Sequence, residues 1–191
     1  FAAFAREEAE GRGESVTRVL MARDMRPSGV ELSAVFADGV RSQGLDVVDL
    51  GLGSTDLLYF ASGSMAAPGV MFTASHNPAQ YNGAKFCLSG ARPVGEDTGL
   101  GRIREVGEAS LAGSVPPAAT TGSISSLDVL GAFADHVRSF VDVSSLAPLQ
   151  IVADTANGMG GLIVPAVFSS LPFQLEVMYG ELDGTFPNHP A

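Results

Sequence analysis

The sequence predicts an α/β fold, in which a parallel-sheet βαβ domain over residues 1–143 is followed, over residues 144–191, by the start of a second, similar α/β unit. Three observations predict it. Short apolar runs of strand length alternate with segments of helical period, and strand, helix, strand, helix, strand implies parallel pairing. The strand pattern restarts near residue 149 after a short connector. The composition, 46% hydrophobic and 17% charged with 23 Gly and 11 Pro, suits a soluble chain rich in tight strand-to-helix turns.

Thr17–Ala22 is a short buried strand, and Asp24, Arg26, Pro27 and Ser28 make the polar turn after it. From Gly29 to Gln43 the apolar residues Leu32, Val35, Phe36 and Val40 recur at helical spacing, and Gly44 stands where a helix C-terminal glycine is favoured. Leu45–Leu50 is a second strand, Thr55–Ser62 a short helix with a Ser or Thr cap, and Gly69–Thr73 a third strand. Right-handed crossovers place the loops after these strands along one sheet edge, where open α/β sheets bind ligands.

Asn82–Leu88 is a strand entered through an Asn-Gly turn, with Ala84, Phe86 and Leu88 on one face and Lys85 and Cys87 on the other. A helix is expected within Gly95–Ala109, and Leu111–Ser126, rich in Pro, Gly, Ser and Thr, is expected as a loop. Leu127, Leu130, Phe133, Ala134, Val137, Phe140 and Val141 form an amphipathic helical stripe. Leu149–Ala153 and Phe173–Tyr179 are strands flanking a glycine-rich turn at Asn157–Gly161 and a helix over Leu162–Ser170.

With 11 Lys plus Arg against 21 Asp plus Glu, a formal charge of −10 argues against nucleic acid or an anionic membrane as a partner. The single cysteine, Cys87, excludes an intramolecular disulfide and a Cys-based metal cluster and fits a reducing, cytoplasmic setting. No apolar run reaches the roughly 18 to 20 residues of a membrane helix. The chain begins without Met and ends at Pro190-Ala191 after a turn-rich stretch, so both ends are expected to be cuts through a longer protein. The unfinished second unit is expected to leave apolar surface exposed.

The chemistry concentrates in Thr73-Ala74-Ser75-His76-Asn77-Pro78, followed by Tyr81-Asn82-Gly83 and Lys85. A strand delivers Ser75 to the sheet edge, Pro78 biases Asn77 away from helical backbone angles, and Asn82-Gly83 turns the chain so that Lys85 returns towards the serine. As phosphoserine, the hydroxyl would carry roughly 1.5 to 2 negative charges and donate phosphate, with Lys85 and His76 able to offset charge. The alternative is a hydrogen-bonded turn with no chemistry.

TASHNP with YNGAK at this spacing resembles the active-serine loop of the α-D-phosphohexomutases, which include phosphomannomutases and phosphoglucomutases. Ala22-Arg23-Asp24-Met25-Arg26-Pro27-Ser28 is similar to that family's early Gly-x-Asp-x-Arg-x-Ser segment, with Ala22 in place of the glycine. Val152–Gly161 resembles the opening of the family's second domain, and Leu182–Pro190 a later loop of it. Thr55-Asp56 departs from the family's more usual Thr-Pro.

The resemblance implies domain 1 over residues 1–143 and an incomplete domain 2 over 144–191. It implies that Ser75 carries the catalytic phosphate and helps ligate Mg2+ through it, that His76 shares the phosphate site, and that Lys85 does general acid/base or charge-stabilising work. The substrate class is a phosphorylated hexose, interconverted between its 1- and 6-phosphates through a hexose 1,6-bisphosphate. Mannose is favoured over glucose. The family's magnesium loop, sugar-recognition domains and an upstream segment are expected outside this sequence, which would leave the chain inactive alone.

Phosphoglucosamine mutase and a noncatalytic phosphosugar-binding remnant remain as alternatives. A Ser-His hydrolase is a third, without a Gly-x-Ser-x-Gly elbow to support it. Asp24 and Arg26 are expected to pair and lock the turn after the first strand, outside the catalytic set. The Asn157–Gly161 glycines are expected to serve a tight turn and close packing, His136 to pack on its helix, and His189 to sit in a polar loop. The sequence leaves the oligomeric state open.

Overall fold

The computed structural model describes residues 1–190. Strands β1 (Arg18–Arg23), β2 (Asp46–Leu52), β3 (Gly69–Phe72), β4 (Ala84–Leu88), β5 (Arg92–Pro93) and β6 (Ile124–Ser126) form one sheet in the order β5-β4-β3-β1-β2-β6. β1 pairs in parallel with β2 and β3, and β2 with β6. The parallel pairing predicted for the first three strands is present, and β4 and β5 add an antiparallel edge, so the sheet is mixed. The reversal is made by the 73–83 loop, closed where the Thr73 amide donates to the Gly83 carbonyl at 3.0 Å, and a connection of that length is too short for a parallel crossover.

Alternation along β1 sends Leu20 and Ala22 to one face and Val19 and Met21 to the other. On the first face pack Leu57, Leu58 and Ala61 of α3 (Thr55–Met65) and Phe133 of α5 (Leu130–Arg138). On the second pack Ala37 and Val40 of α2 (Ser28–Ser42) and Ala2 of α1 (Ala2–Glu10). The result is a three-layer α/β/α sandwich. Because β3 lies on the far side of β1 from β2, the chain changes direction across the sheet at β1, and the connections after β1 and β2, through α2 and α3, run on opposite faces. A crevice opens at such a point outside the carboxyl ends of the strands.

Three of these strands and helices were not predicted, the two-residue edge strand β5 among them. α1 buries Phe4 and Ala5 against Leu88 and Val94, and the segment expected as a loop holds β6 at its end. β6 is docked by Asp46, whose carboxylate accepts from the Ser123 amide at 2.7 Å and its hydroxyl at 2.8 Å. The predicted stripe to Val141 is longer than α5, which stops at Arg138 and leaves Phe140 74% exposed beside the His136 ring. The helix within 95–109 is α4 (Leu100–Leu111).

β7 (Leu149–Asp154) and β8 (Phe173–Met178) pair in parallel as a separate two-stranded sheet, joined through α6 (Gly160–Phe168). Arg138 of α5 donates to the Ala166 and Val167 carbonyls near the α6 C-terminus, both at 2.9 Å, and so ties the two units together. Leu149 and Val152 are more than half exposed, in line with the apolar surface expected of this unit.

Candidate active site

Arg26 and Asp24, in the turn after β1, are both buried and pair at 3.1 Å between Nε and Oδ2. The predicted ion pair is there, and the rest of the guanidinium does more. Nη1 donates to the carbonyls of Pro78 at 2.8 Å and Tyr81 at 3.0 Å, and Nη2 to those of Ser75 at 2.9 Å and Asn77 at 2.7 Å. An arginine side chain has five N–H donors in a planar fork, and all five are engaged. Arg26 is therefore the template on which the 75–81 loop is folded. The sequence offered one signal for this, a buried-turn arginine at the same sheet edge as Ser75.

Thr73 hands the chain from β3 to that loop. Its amide donates to the Gly83 carbonyl at 3.0 Å, and its hydroxyl accepts from the Ser75 amide at 2.9 Å. Ser75 is thus pinned on both sides, by Thr73 through its N–H and by Arg26 through its C=O. Its side chain is left exposed, with Oγ 3.4 Å from His76 Nδ1. Ser75 and His76 are brought together, at a distance too long for a strong hydrogen bond. No third group among the described residues orients the imidazole as a hydrolytic triad would need.

Lys85 is the chain's only lysine, is exposed and enters no ion pair among the described residues. It lies opposite Met71 in the β3–β4 register, on the sheet face that also carries Cys87. Met71 lines the cleft in front of Ser75, and Lys85 stands one strand further out.

That cleft encloses about 380 Å³ between the two units. Asp24, Met25, Ser54, Thr55, Thr73, Ser75 and His76 line it from the first sheet's edge, and residues from Asp154 to Gly160 with Phe186 line it from the second. Ser54 caps α3 by accepting from the Leu57 amide at 3.2 Å, so the helix starts cleanly at Thr55-Asp56. The glycine turn serves close packing as predicted: a Cβ on Gly161 would lie 2.1 Å from the Gly180 carbonyl oxygen. It also faces Ser75 across the cleft.

Backbone strain gathers here. Ser75, Ala156 and Phe186, all lining the cleft, have φ of 56, 47 and 53°, and Asn157 beside them has 58°. Such left-handed angles are uncommon outside glycine and persist where the surroundings over-determine them, often at functional sites.

His189, expected in a polar loop, reaches Asp154 at the cleft wall. Its Nε2 lies 3.0 Å from both carboxylate oxygens and its Nδ1 2.9 Å from the Pro190 carbonyl. Acceptors on both ring nitrogens favour the doubly protonated imidazolium. The Pro190 carbonyl first and Asp154 second raise the His189 pKa above its ordinary value. The Ala156 amide first and His189 second lower that of Asp154. For His189 the raised folded value means a contribution fully present below the ordinary histidine range and lost as pH climbs through the raised one. For Asp154 the contribution is present above the ordinary carboxylate range and lost as pH falls through the lowered value. Asp154→Asn is expected to return the His189 titration, followed by NMR, towards the ordinary value.

A family model described as phosphoglucomutase/phosphomannomutase, alpha/beta/alpha domain I, matches residues 1–108, more than half the chain and including Asp24, Arg26, Ser75, His76 and Lys85. The chain belongs to the phosphoglucomutase/phosphomannomutase family. This mutase-family chain is 40% identical over 171 residues to a Xanthomonas campestris protein named phosphohexose mutases, covering 89% of this chain and 38% of that one. It is 34% identical over 182 residues to the phosphoglucomutase of Neisseria gonorrhoeae, covering 95% and 38%. A crystal structure of a family protein from Burkholderia thailandensis superposes with a TM-score of 0.78 at 31% identity, covering 99% of this chain and 41% of that one. The family chain thus spans 38% of the length of these curated relatives.

The described residues do not make a complete magnesium site. No group of three or more His, Cys, Asp or Glu among them is placed to hold a metal. The two carboxylates that line the cleft are already engaged, Asp24 with Arg26 and Asp154 with His189.

Proposed function

We propose that the full-length protein interconverts hexose 1-phosphate and hexose 6-phosphate, with mannose or glucose as the sugar, and that Ser75 is the residue phosphorylated during turnover. The observation that carries this reading is a serine pinned through both its backbone groups while its hydroxyl stays exposed in a cleft. Phosphoryl transfer asks mainly for such positioning and for charge stabilisation. Relatives named phosphomannomutase and phosphoglucomutase support the substrate class.

In this reading a substrate hydroxyl attacks the phosphorus of phosphoserine, a new P–O bond forms, and the bond to Ser75 Oγ breaks. The hydroxyl proton passes to a base. The bisphosphate then turns and returns its other phosphoryl group to Ser75. His76 belongs to the phosphate site, and Lys85 does acid/base or charge-stabilising work from the adjoining strand. Mg2+ would offset charge on the transferring group, with the phosphoserine as one ligand and the remaining ligands outside the described residues. Residues 1–143 act as the serine-bearing domain, and 144–191 as part of a second. No helix is long and apolar enough to cross a membrane among the described residues, and a cytoplasmic setting belongs to the same proposal.

Mass spectrometry of the full-length protein after incubation with mannose or glucose 1,6-bisphosphate and Mg2+ should place a single phosphate on Ser75. In the same assay Lys85→Ala should slow phosphate uptake and turnover by about 10²- to 10⁴-fold, the usual worth of a positioned acid/base group, with thermal stability unchanged. Phosphate elsewhere, with Ser75 unmodified, overturns the assignment.

A further inference from the structure

The guanidinium of Arg26 has its five edge donors engaged, which leaves its two faces to be covered. The guanidinium itself lies over an aromatic ring of the second unit. The Phe186 ring centroid lies 5.2 Å from Arg26 Cζ, in the range where a cation is held over an aromatic face. Two residues earlier, Gly184 is buried against the β1–α2 turn. A Cβ there would sit 2.7 Å from Arg26 Cα, 2.8 Å from the Met25 carbonyl oxygen and 3.0 Å from Pro27 Cδ. Two of those atoms are backbone and cannot swing aside.

The loop that presents these residues is itself fixed, chiefly by Asn157. Its carbonyl accepts from the Asp183 amide at 2.9 Å, its Nδ2 donates to Glu181 O at 3.0 Å, and its Oδ1 accepts from Asn188 Nδ2 at 2.8 Å. The Phe186 amide donates to Asp183 O at 3.0 Å. A bulky aromatic held at φ 53° by so many bonds is placed, not merely tolerated.

We propose that Phe186 is a positioning residue for Ser75, acting across the two units through Arg26. The second unit sets Phe186 against the guanidinium and Gly184 against the Met25–Pro27 turn that carries it, and the guanidinium holds the Ser75, Asn77, Pro78 and Tyr81 carbonyls. The order of the serine loop is thereby made to depend on how the second unit is seated. The catalytic consequence rests on the assignment of Ser75 as the phosphate carrier; the mechanical coupling does not.

The test compares Phe186→Leu, Phe186→Trp and Gly184→Ala in the full-length protein by hydrogen exchange and by the rate of Ser75 phosphorylation from a hexose 1,6-bisphosphate. Phe186→Leu keeps bulk but loses the π face. It should speed exchange of the loop amides of Ser75, Asn77 and Tyr81 by about 3- to 10-fold, as loss of a cation–π contact of ordinary strength would. Exchange in β1 and β3 and the melting temperature should stay as they are. Phosphorylation at saturating bisphosphate should slow with no change in half-saturating concentration. Phe186→Trp should restore both, and Gly184→Ala should reproduce the loss. Unchanged loop exchange in both Phe186→Leu and Gly184→Ala overturns the proposal. So does uniformly faster exchange across the first sheet, since it would mark a general loss of packing. If the unaltered protein takes no phosphate on Ser75, the mutase reading falls, and loop exchange alone still decides the coupling.

Discussion

Arg26→Met is expected to destabilise the fold by about 3 to 5 kcal/mol, the cost of breaking a buried charge pair by removing one partner. The substitution roughly keeps the volume of the side chain and removes every donor. Asp24, 4% exposed, would be left as a buried carboxylate without its cation. The carbonyls of Ser75, Asn77, Pro78 and Tyr81 would lose their common partner. Urea titration should show the midpoint falling with the slope unchanged if the native state stays compact. Adding Asp24→Asn to Arg26→Met should recover part of the loss, since a neutral amide replaces the stranded charge. Arg26→Lys should fall between: it keeps the charge and offers three donors from one point where the loop is built on a fork of five. Phosphate uptake by Ser75 should fail in Arg26→Met even at temperatures where the fold persists. A loss under about 1 kcal/mol, the net worth of one ordinary hydrogen bond, would sink the template role.

The site's location was legible because it follows from period and order. Strands at Thr17, Leu45 and Gly69 with helices between them fix parallel pairing, and parallel pairing fixes which loops share an edge. Ser75, Asp24 and Ser54 therefore had to converge, and they do. The resemblance of the serine loop to the phosphohexomutases added the chemistry, which neither period nor composition supplies. The face occupied by Lys85 was legible from simple alternation along β4.

What was not legible depends on partners distant in the chain. β6 has no strand period, since Ile124-Ser125-Ser126 alternates with nothing; it is a strand because Asp46 and β2 dock it. α1 is an Ala- and Glu-rich helix whose buried side, Phe4 and Ala5, acquires meaning only against Leu88 and Val94. Asp-x-Arg suggested a local pair, and nothing in its spacing announces four carbonyls some fifty residues away. The other wall of the cleft, from Asp154 to Phe186, is likewise a product of how α5 and α6 pack. The left-handed angles at Ser75 and Phe186 are invisible in sequence, because neither residue type favours them.

Those angles set up the second large effect. Ser75→Gly is expected to abolish phosphate uptake while making the protein more stable. A left-handed angle costs an ordinary residue roughly 1 to 2 kcal/mol. Glycine adopts it freely but loses about 0.5 to 1 kcal/mol more in chain entropy on folding. The balance is a gain of up to about 1.5 kcal/mol, because the hydroxyl lost makes only a 3.4 Å approach to His76. Ser75→Ala loses the same hydroxyl and keeps the strain, so it should be equally inactive with stability near that of the unaltered protein. Turnover should drop by roughly 10⁴-fold or more in both, as it does when a covalent nucleophile is removed. The pair separates chemistry from backbone: equal loss of phosphate uptake with unequal melting temperatures means that strain holds the serine out in the cleft, in the trade between stability and activity common at functional sites. Ser75→Gly melting below Ser75→Ala would show that the left-handed angle carries no strain to release.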